Sequence, residues 1–359
     1  FMLKAAIVGA TGIVGQQFIV VLQNHPWIKI TSLAASERSA GKKYREAITD
    51  TKTGAFRWYC EEECNQDILS LTVQEADKLD LSDIDLIFSA IESDQAKILE
   101  PRLAKTTPVI STASAYRYDN DVPVLIPGIN DNQIALLDIQ RKNRGWKGFI
   151  TPNPNCTTIG LAITLKPILD NFGINVVIMT SMQAVSGAGR NPGVISLDIT
   201  DNVIPYIAGE EEKVQKETQK ILGAFNGESI IPAEFMVSST CTRINVLEGH
   251  TEAVLVSTKD HCEPDDVSMI MREFDPFKGL DLPTAPRNMI IVNNDPFRPQ
   301  PRLDRNNDNG MATTVGRIRK DYAVKNGIKY VLVSHNTKMG AARGATLAAE
   351  ILIKKGYIG

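Results

Sequence analysis

The stretch Leu3-Lys4-Ala5-Ala6-Ile7-Val8-Gly9-Ala10-Thr11-Gly12-Ile13-Val14-Gly15 decides the fold. Residues 3–8 are mostly apolar and run into a glycine-rich turn. Helical periodicity follows through Phe18, Val21 and Leu22 and stops at His25-Pro26. Ile28 to Ala35 then reads as a second buried strand. Strand, glycine turn, helix and strand in this order open a dinucleotide-binding fold. The glycines act mechanically: one permits a tight turn, one lets backbone approach a pyrophosphate, and one allows close helix–sheet contact. The helix start beyond them is an anion site through its unpaired N–H groups and its dipole. Gly9, Thr11, Gly12, Ile13 and Val14 are therefore expected to touch a cofactor.

The second strand leads into Ser36-Glu37-Arg38-Ser39, with Lys42 and Lys43 close behind. An acid here suits the ribose hydroxyls of NAD, whereas hydroxyls and a guanidinium suit the 2′-phosphate of NADP. Glu37 keeps NAD open; Ser36, Arg38, Ser39 and the two lysines point to NADP. Strands are expected at 86–89 and 109–111 with a helix at 94–104 between them, so the sheet is parallel and doubly wound. Ser89, at the end of one of these strands, joins the expected cofactor contacts.

Past Asn153 the texture changes. Strands are expected at 174–181, 242–247, 253–257, 312–318 and 330–334. A glycine-rich loop, Ser186-Gly187-Ala188-Gly189, follows the first of them. A polar helix is expected at 210–222, a turn at Asp308-Asn309-Gly310 and a closing helix at 341–354. The expected class is α/β: an N-terminal Rossmann-type doubly wound sheet plus an α+β catalytic and dimerisation domain on a mixed sheet. The expected domains are 1–153, completed by the C-terminal helix 337–359, and 154–336.

With 359 residues the chain can bury two cores, and its 43% hydrophobic and 23% charged content is that of a soluble globular protein. A net charge of −3 argues against non-specific nucleic-acid binding, which needs a basic surface. No apolar run has membrane-spanning length, and a strand begins where a secretory signal would lie. The five cysteines are odd in number and mostly far apart, which suggests reduced thiols in the cytoplasm. Cys60 and Cys64 have no matching second pair, and the four histidines at 25, 250, 261 and 335 are scattered, so no metal is expected.

Cys156 sits in Thr151-Pro-Asn-Pro-Asn-Cys-Thr-Thr-Ile-Gly160, just before an amphipathic helical run (Ile159, Leu161, Leu165, Ile168). A helix start favours thiolate over thiol, and the thiolate is the nucleophile of acyl transfer and aldehyde chemistry. Asn155 and Thr157 can cap this helix or donate to an oxyanion. His250 lies seven residues beyond Arg243 in TRINVLEGHTE. Such a histidine can move protons for a nearby sulfur, and Arg243 can clamp a carboxylate with two prongs.

Taken together, GATGIVG, AASERSAGK, NPNCTTIG, QAVSGAG, GEEEK, the segment from Arg243 to His250, VGRIRKD and HNTKMGAARG resemble the aspartate-semialdehyde dehydrogenases along nearly the whole chain. DNVIPYIAGEEEK and GRIRKD with a short tail are most similar to the archaeal and fungal branch. The resemblance implies a cytoplasmic, NADP-dependent homodimer or homotetramer in lysine, threonine and methionine biosynthesis. It would reduce L-aspartyl 4-phosphate to L-aspartate 4-semialdehyde through a thioacyl group on cysteine.

It further implies Cys156 as nucleophile, His250 as general acid–base and Gln183 as the group orienting the thiohemiacetal. Arg243 would take the substrate carboxylate and Glu210 its ammonium, while Lys213 and Arg117 receive the phosphate beside Asn155. Asn336 would approach the nicotinamide, with Ser186 and Gly187 on the same side. Two positions depart from the family: Thr112 stands where asparagine is common, and Gly128 removes the acid of a PE-x-N motif. A malonyl- or succinyl-CoA reductase of the same fold, an N-acetyl-glutamyl-phosphate reductase and a non-catalytic NADP-binding regulator are the rival readings. The coenzyme A and acetylated substrates have no ammonium group to explain Glu210, and a dead regulator has no use for an intact cysteine and histidine.

Overall fold

A computed structural model of the chain describes residues 2–189 and 193–359. The first sheet holds β1 (Leu3–Val8), β2 (Ile28–Ala35), β3 (Val73–Glu75), β4 (Leu86–Ser89), β5 (Val109–Ser111) and β6 (Ile150–Pro152). All are parallel, in the order β3-β2-β1-β4-β5-β6. The direction of travel reverses between β1 and β4, and in such sheets ligands bind at that crevice. Helix α1 (Ile13–Leu22) leaves the glycine turn, α2 (Ser93–Ala104) joins β4 to β5, and α3 (Leu136–Arg144) precedes β6. Both faces of β1 and β4 are covered, which is why these strands read as unbroken apolar runs.

The second sheet contains β7 (Ile174–Gln183), β8 (Val203–Ile204), β11 (Met236–Ile244), β12 (His250–Thr258), β13 (Ile290–Asn293), β14 (Thr313–Asp321) and β15 (Gly327–Ser334). A small hairpin, β9 (Ala224–Phe225) with β10 (Ile230–Ile231), stands apart. The order β13-β14-β15-β12-β7-β11-β8 mixes parallel pairs, β13 with β14 and β7 with β11, with antiparallel ones. One face packs against α4 (Cys156–Phe172), α5 (Glu210–Ile221) and α6 (Pro264–Arg272). The other stays open, and alternate residues of β7 and β11, among them Ile178 and Met236, reach solvent. The last helix, α7 (Arg343–Lys354), returns to pack on α1 and β5.

Several boundaries differ from the sequence reading. The strand expected at 242–247 runs over Met236–Ile244, because it pairs in parallel with β7 from Met236↔Val176 to Arg243↔Gln183. Its polar residues Ser238, Thr240 and Thr242 hide the strand by facing away from the core. The closing helix starts at Arg343, after a wide turn over Lys338–Ala342. Gly128 has a packing reason: at φ +79, a Cβ there would lie 2.7 Å from the Pro276 ring. The missing acid of that motif is thus a matter of inter-element contact. Thr112, the other departure, donates to the Ser89 carbonyl at 3.2 Å.

Candidate active site

The register of three strands builds the site. Gln183 ends β7, Arg243 lies opposite it on β11, and β12 begins at His250, one step before the Thr251↔Met182 pair. All three side chains therefore emerge at one edge of the sheet, where the N-terminus of α4 arrives. The Asn155 side chain caps that helix, its Oδ1 accepting from the Thr157 N–H at 2.9 Å and the Thr158 N–H at 3.2 Å. Cys156 opens the helix with its Sγ 3.2 Å from His250 Nε2. The Ala184 N–H donates to His250 Nδ1 at 3.1 Å. In the neutral ring the proton therefore sits on Nε2, aimed at the sulfur.

Burial dominates the electrostatics. It pushes the Cys156 thiol up, helped by Glu210 and opposed by Arg243, Arg117 and the Thr157 N–H. Burial, then Arg243 and His335, hold His250 down at about 3. The resting ring is therefore neutral. The thiolate expected from the helix start is opposed by desolvation until a ligand supplies new partners.

The remaining expected residues converge on this pair. Gln183 is buried and its amide donates to Ser181 Oγ at 3.1 Å. Arg243 is buried, donates to the Ala184 carbonyl at 2.8 Å, and is lowered chiefly by desolvation. Gly187 lies against both Arg243 and His250; a Cβ there would come 2.8 Å from the guanidinium. Glu210 accepts from Asn155 Nδ2 at 2.9 Å and faces Lys213 Nζ at 3.7 Å. Arg117 reaches in from the loop after β5, donating to Glu217 at 3.0 Å and to the Thr112 carbonyl at 3.3 Å. Asn336 accepts from the Gly249 N–H at 2.9 Å and donates to Ser186 Oγ at 2.8 Å, tying the β15 end to the glycine-rich loop.

Sequence reasoning missed Glu217. It lies on the face of α5 that carries Glu210, seven residues on, and that spacing was the available signal. It also missed His335, fully buried beside Glu248 and near enough to His250 to bias it.

The residues at the β1–β4 crevice fit a dinucleotide. Gly9 has φ +85 and a Cβ there would sit 2.4 Å from the Ala90 carbonyl, so only glycine lets the turn close. Gly12 caps α1 with no side-chain hydrogen bond, leaving the first N–H groups of the helix for an anion. Thr11, Gly12, Ile13 and Val14 all border open space. Tyr44 props the turn by donating to the Ala10 carbonyl at 2.7 Å. Beyond β2, Ser36 and Arg38 are exposed and Ser39 partly so, and the Arg38 guanidinium has no hydrogen bond or ion pair among the described residues. Ser89, expected among the cofactor contacts, is instead fully buried, its side chain beside Glu100 and its carbonyl accepting from the Thr112 N–H at 2.9 Å and the Thr112 hydroxyl at 3.2 Å, so it supports the crevice from within the sheet. Among the described residues, no group of three or more His, Cys, Asp or Glu could hold a metal, and no helix is long and apolar enough to cross a membrane.

Residues 4–137 match the family model of the semialdehyde dehydrogenase NAD binding domain, and residues 165–339 that of the semialdehyde dehydrogenase dimerisation domain. The aspartate-semialdehyde dehydrogenase of Archaeoglobus fulgidus is 48% identical over 99% of both chains. The solved structure of the Candida albicans aspartate semialdehyde dehydrogenase with NADP superposes with a TM-score of 0.89 at 38% identity, covering 100% of both chains. A malonyl CoA reductase (NADP) from Metallosphaera sedula is 40% identical over 99% of this chain and 98% of its own.

Proposed function

The chain belongs to the aspartate-semialdehyde dehydrogenase family, and on that premise we propose that it is an NADP-dependent aspartate-semialdehyde dehydrogenase. In the biosynthetic direction it converts L-aspartyl 4-phosphate to L-aspartate 4-semialdehyde and phosphate. The observation that carries this reading is the 3.2 Å approach of Cys156 Sγ to His250 Nε2 at a capped helix start, ringed by Gln183, Arg243 and Glu210.

The Cys156 sulfur attacks the acyl carbon and the carbon–oxygen bond to phosphate breaks, leaving a thioester on the enzyme. Arg117 and Lys213 receive the phosphoryl group, and their charge, with Arg243 and the helix start, favours the thiolate that burial opposes. When bound, the dinucleotide supplies the hydride that takes the thioester to the aldehyde level. His250 Nε2–H donates a hydrogen bond to the oxygen that gains negative charge in the thiohemiacetal, and the adduct collapses to the aldehyde with the Cys156 sulfur leaving as thiolate, while the Ala184 N–H fixes the ring's tautomer throughout. Gln183 orients the reacting oxygen. Arg243 holds the substrate carboxylate and Glu210 its ammonium. With the dinucleotide bound, the glycine turn would cradle its pyrophosphate, and Ser36, Arg38 and Ser39 would hold its 2′-phosphate.

We take residues 1–153 with 337–359 as the cofactor unit and 154–336 as the catalytic unit. The open face of the second sheet is the surface for self-association, with a dimer as the minimal unit. All five cysteines are free thiols, which suits a reducing cytoplasm. The deciding assay is NADP reduction with aspartate semialdehyde in the presence and absence of phosphate. Phosphate-dependent turnover is expected; NADPH oxidation with malonyl- or succinyl-CoA in preference to aspartyl phosphate would overturn the assignment.

A further inference from the structure

We propose that Glu217 is a positioning residue that ties the phosphate-receiving guanidinium of Arg117 to the start of the thiol-bearing helix, so that cation and nucleophile meet the substrate as one unit. The inference rests on the role given above to Arg117. Glu217 is fully buried on α5, and its two carboxylate oxygens divide their work. Oε1 accepts from Arg117 Nη1 at 3.0 Å and from the Tyr118 hydroxyl at 3.3 Å. Oε2 accepts from the backbone N–H of Asn155 at 2.6 Å, the residue that caps α4 immediately before Cys156.

Every partner is a donor. Arg117 Nη1 and the Asn155 N–H can only donate, and the Tyr118 hydroxyl is placed to donate as well. The Glu217 carboxyl therefore bridges three donors drawn from two distant segments. Arg117 and Tyr118 lie 100 and 99 residues from Glu217 in sequence, and Asn155 lies 62 away.

The bridge has a direct geometric consequence. Arg117 is held at a second corner by the Thr112 carbonyl, at 3.3 Å, so its guanidinium plane is fixed at both terminal nitrogens. Asn155 is likewise held through its backbone by Glu217 and through its side chain by Glu210. Glu210 and Glu217, two helical turns apart on one face of α5, therefore act as a pair of struts under the cap of α4. Glu210 also faces the substrate, whereas Glu217 touches only the protein groups that do so. A carboxylate used merely to hold the fold together would not need to divide itself between the phosphate cation and the nucleophile's cap.

The test compares Arg117→Ala, Glu217→Gln and the double variant in the oxidative direction, with the phosphate and NADP concentrations varied separately. Glu217→Gln keeps the side-chain shape but places an amide N–H against donors. We expect Arg117→Ala and Glu217→Gln each to raise the KM for phosphate by roughly 10-fold or more, the scale of a lost charge-assisted contact. The KM for NADP should stay within about twofold in both. The double variant should be no worse than the poorer single, because both changes disable one device. Effects that multiply would overturn the inference, as would a Glu217→Gln enzyme with altered melting temperature but unchanged KM for phosphate. An unchanged phosphate KM in Arg117→Ala would instead remove the phosphate role of Arg117, and the inference with it. If Glu217→Gln does not fold, Glu217→Asp keeps the charge but is too short to span both partners. It should raise the same KM, and an unchanged value in that variant overturns the inference equally.

Discussion

Cys156 combines a nucleophile's position with a hydrophobic residue's surroundings. Its sulfur has one ring nitrogen at 3.2 Å and burial working against its ionisation. Replacing it with serine keeps the size but leaves a hydroxyl that nothing in the site can ionise. Cys156→Ser should fall below about 1% of wild-type turnover. NADP affinity, read by fluorescence titration, should remain within a few-fold, because the glycine turn lies in the other sheet. Arg38 gives a matching test of the cofactor side. Exposed, and without a side-chain partner among the described residues, it can meet a 2′-phosphate. Arg38→Ala should cost about 1.5–3 kcal/mol in that contact, raising the KM for NADP roughly 10- to 150-fold. The KM for NAD should hardly change; equal losses with both cofactors would move the guanidinium out of the phosphate site.

Among the elements, α4 depends most visibly on a single side chain. Asn155 Oδ1 takes two N–H groups of its first turn, and no acidic residue in that turn shares the task. Asn155→Ala should lower stability by about 0.5–2 kcal/mol, the usual cost of a lost cap. It should also raise the pH at which iodoacetamide alkylates Cys156, since freed N–H groups settle the thiolate less well. A stable variant with an unchanged alkylation profile would mean the cap is dispensable.

Legibility in the sequence also divides by element. β1, α1 and β2 are plain because an unbroken apolar run, a glycine turn and helical spacing coincide there. β3 and β6 have three residues each, too few to show a period. β11 was displaced by its serines and threonines, which line the open face of the second sheet. Cys156 and His250 were recognisable as residue types, but their meeting depends on a strand register that no local pattern encodes. Glu217 was hidden for the opposite reason: in a helix of alternating charges a glutamate reads as solvated, and only its spacing from Glu210 hints at burial.

For the whole molecule, buried ionisable groups set the acid response. His250 and His335 are both held at about 3, chiefly by desolvation. Their unfolded value is near 6.5. Below that value the unfolded chain binds protons that the folded one refuses, so each histidine withdraws about 1.4 kcal/mol of stability per pH unit down to about 3. Glu100, raised to about 7, and Glu252, raised further by complete burial, act in the opposite sense above the ordinary carboxyl range. Folding keeps them protonated while the unfolded chain releases its protons, so they favour the folded state as pH falls toward about 4.5. Stability should therefore change little between about pH 6.5 and 4.5 and drop steeply below. Thermal melts of wild type and His335→Asn across this range give the check. The variant should lose less with falling pH, and parallel curves would mean that His335 already carries its proton at neutrality.

The meeting of three strand ends with one helix start also sets when the enzyme becomes active during folding. Cys156 and His250 are 94 residues apart, and Asn155 and Glu217 are 62 apart. The first pair needs the start of β12 brought to the start of α4, and the second needs α5 packed against α4; long-range contacts of this kind form slowly in folding. Until that first contact forms, Cys156 lacks its His250 partner. In refolding from denaturant, recovery of activity should follow the last structural phase, not an early one. A burst of thioester formation ahead of that phase would show that the catalytic pair assembles without its sheet.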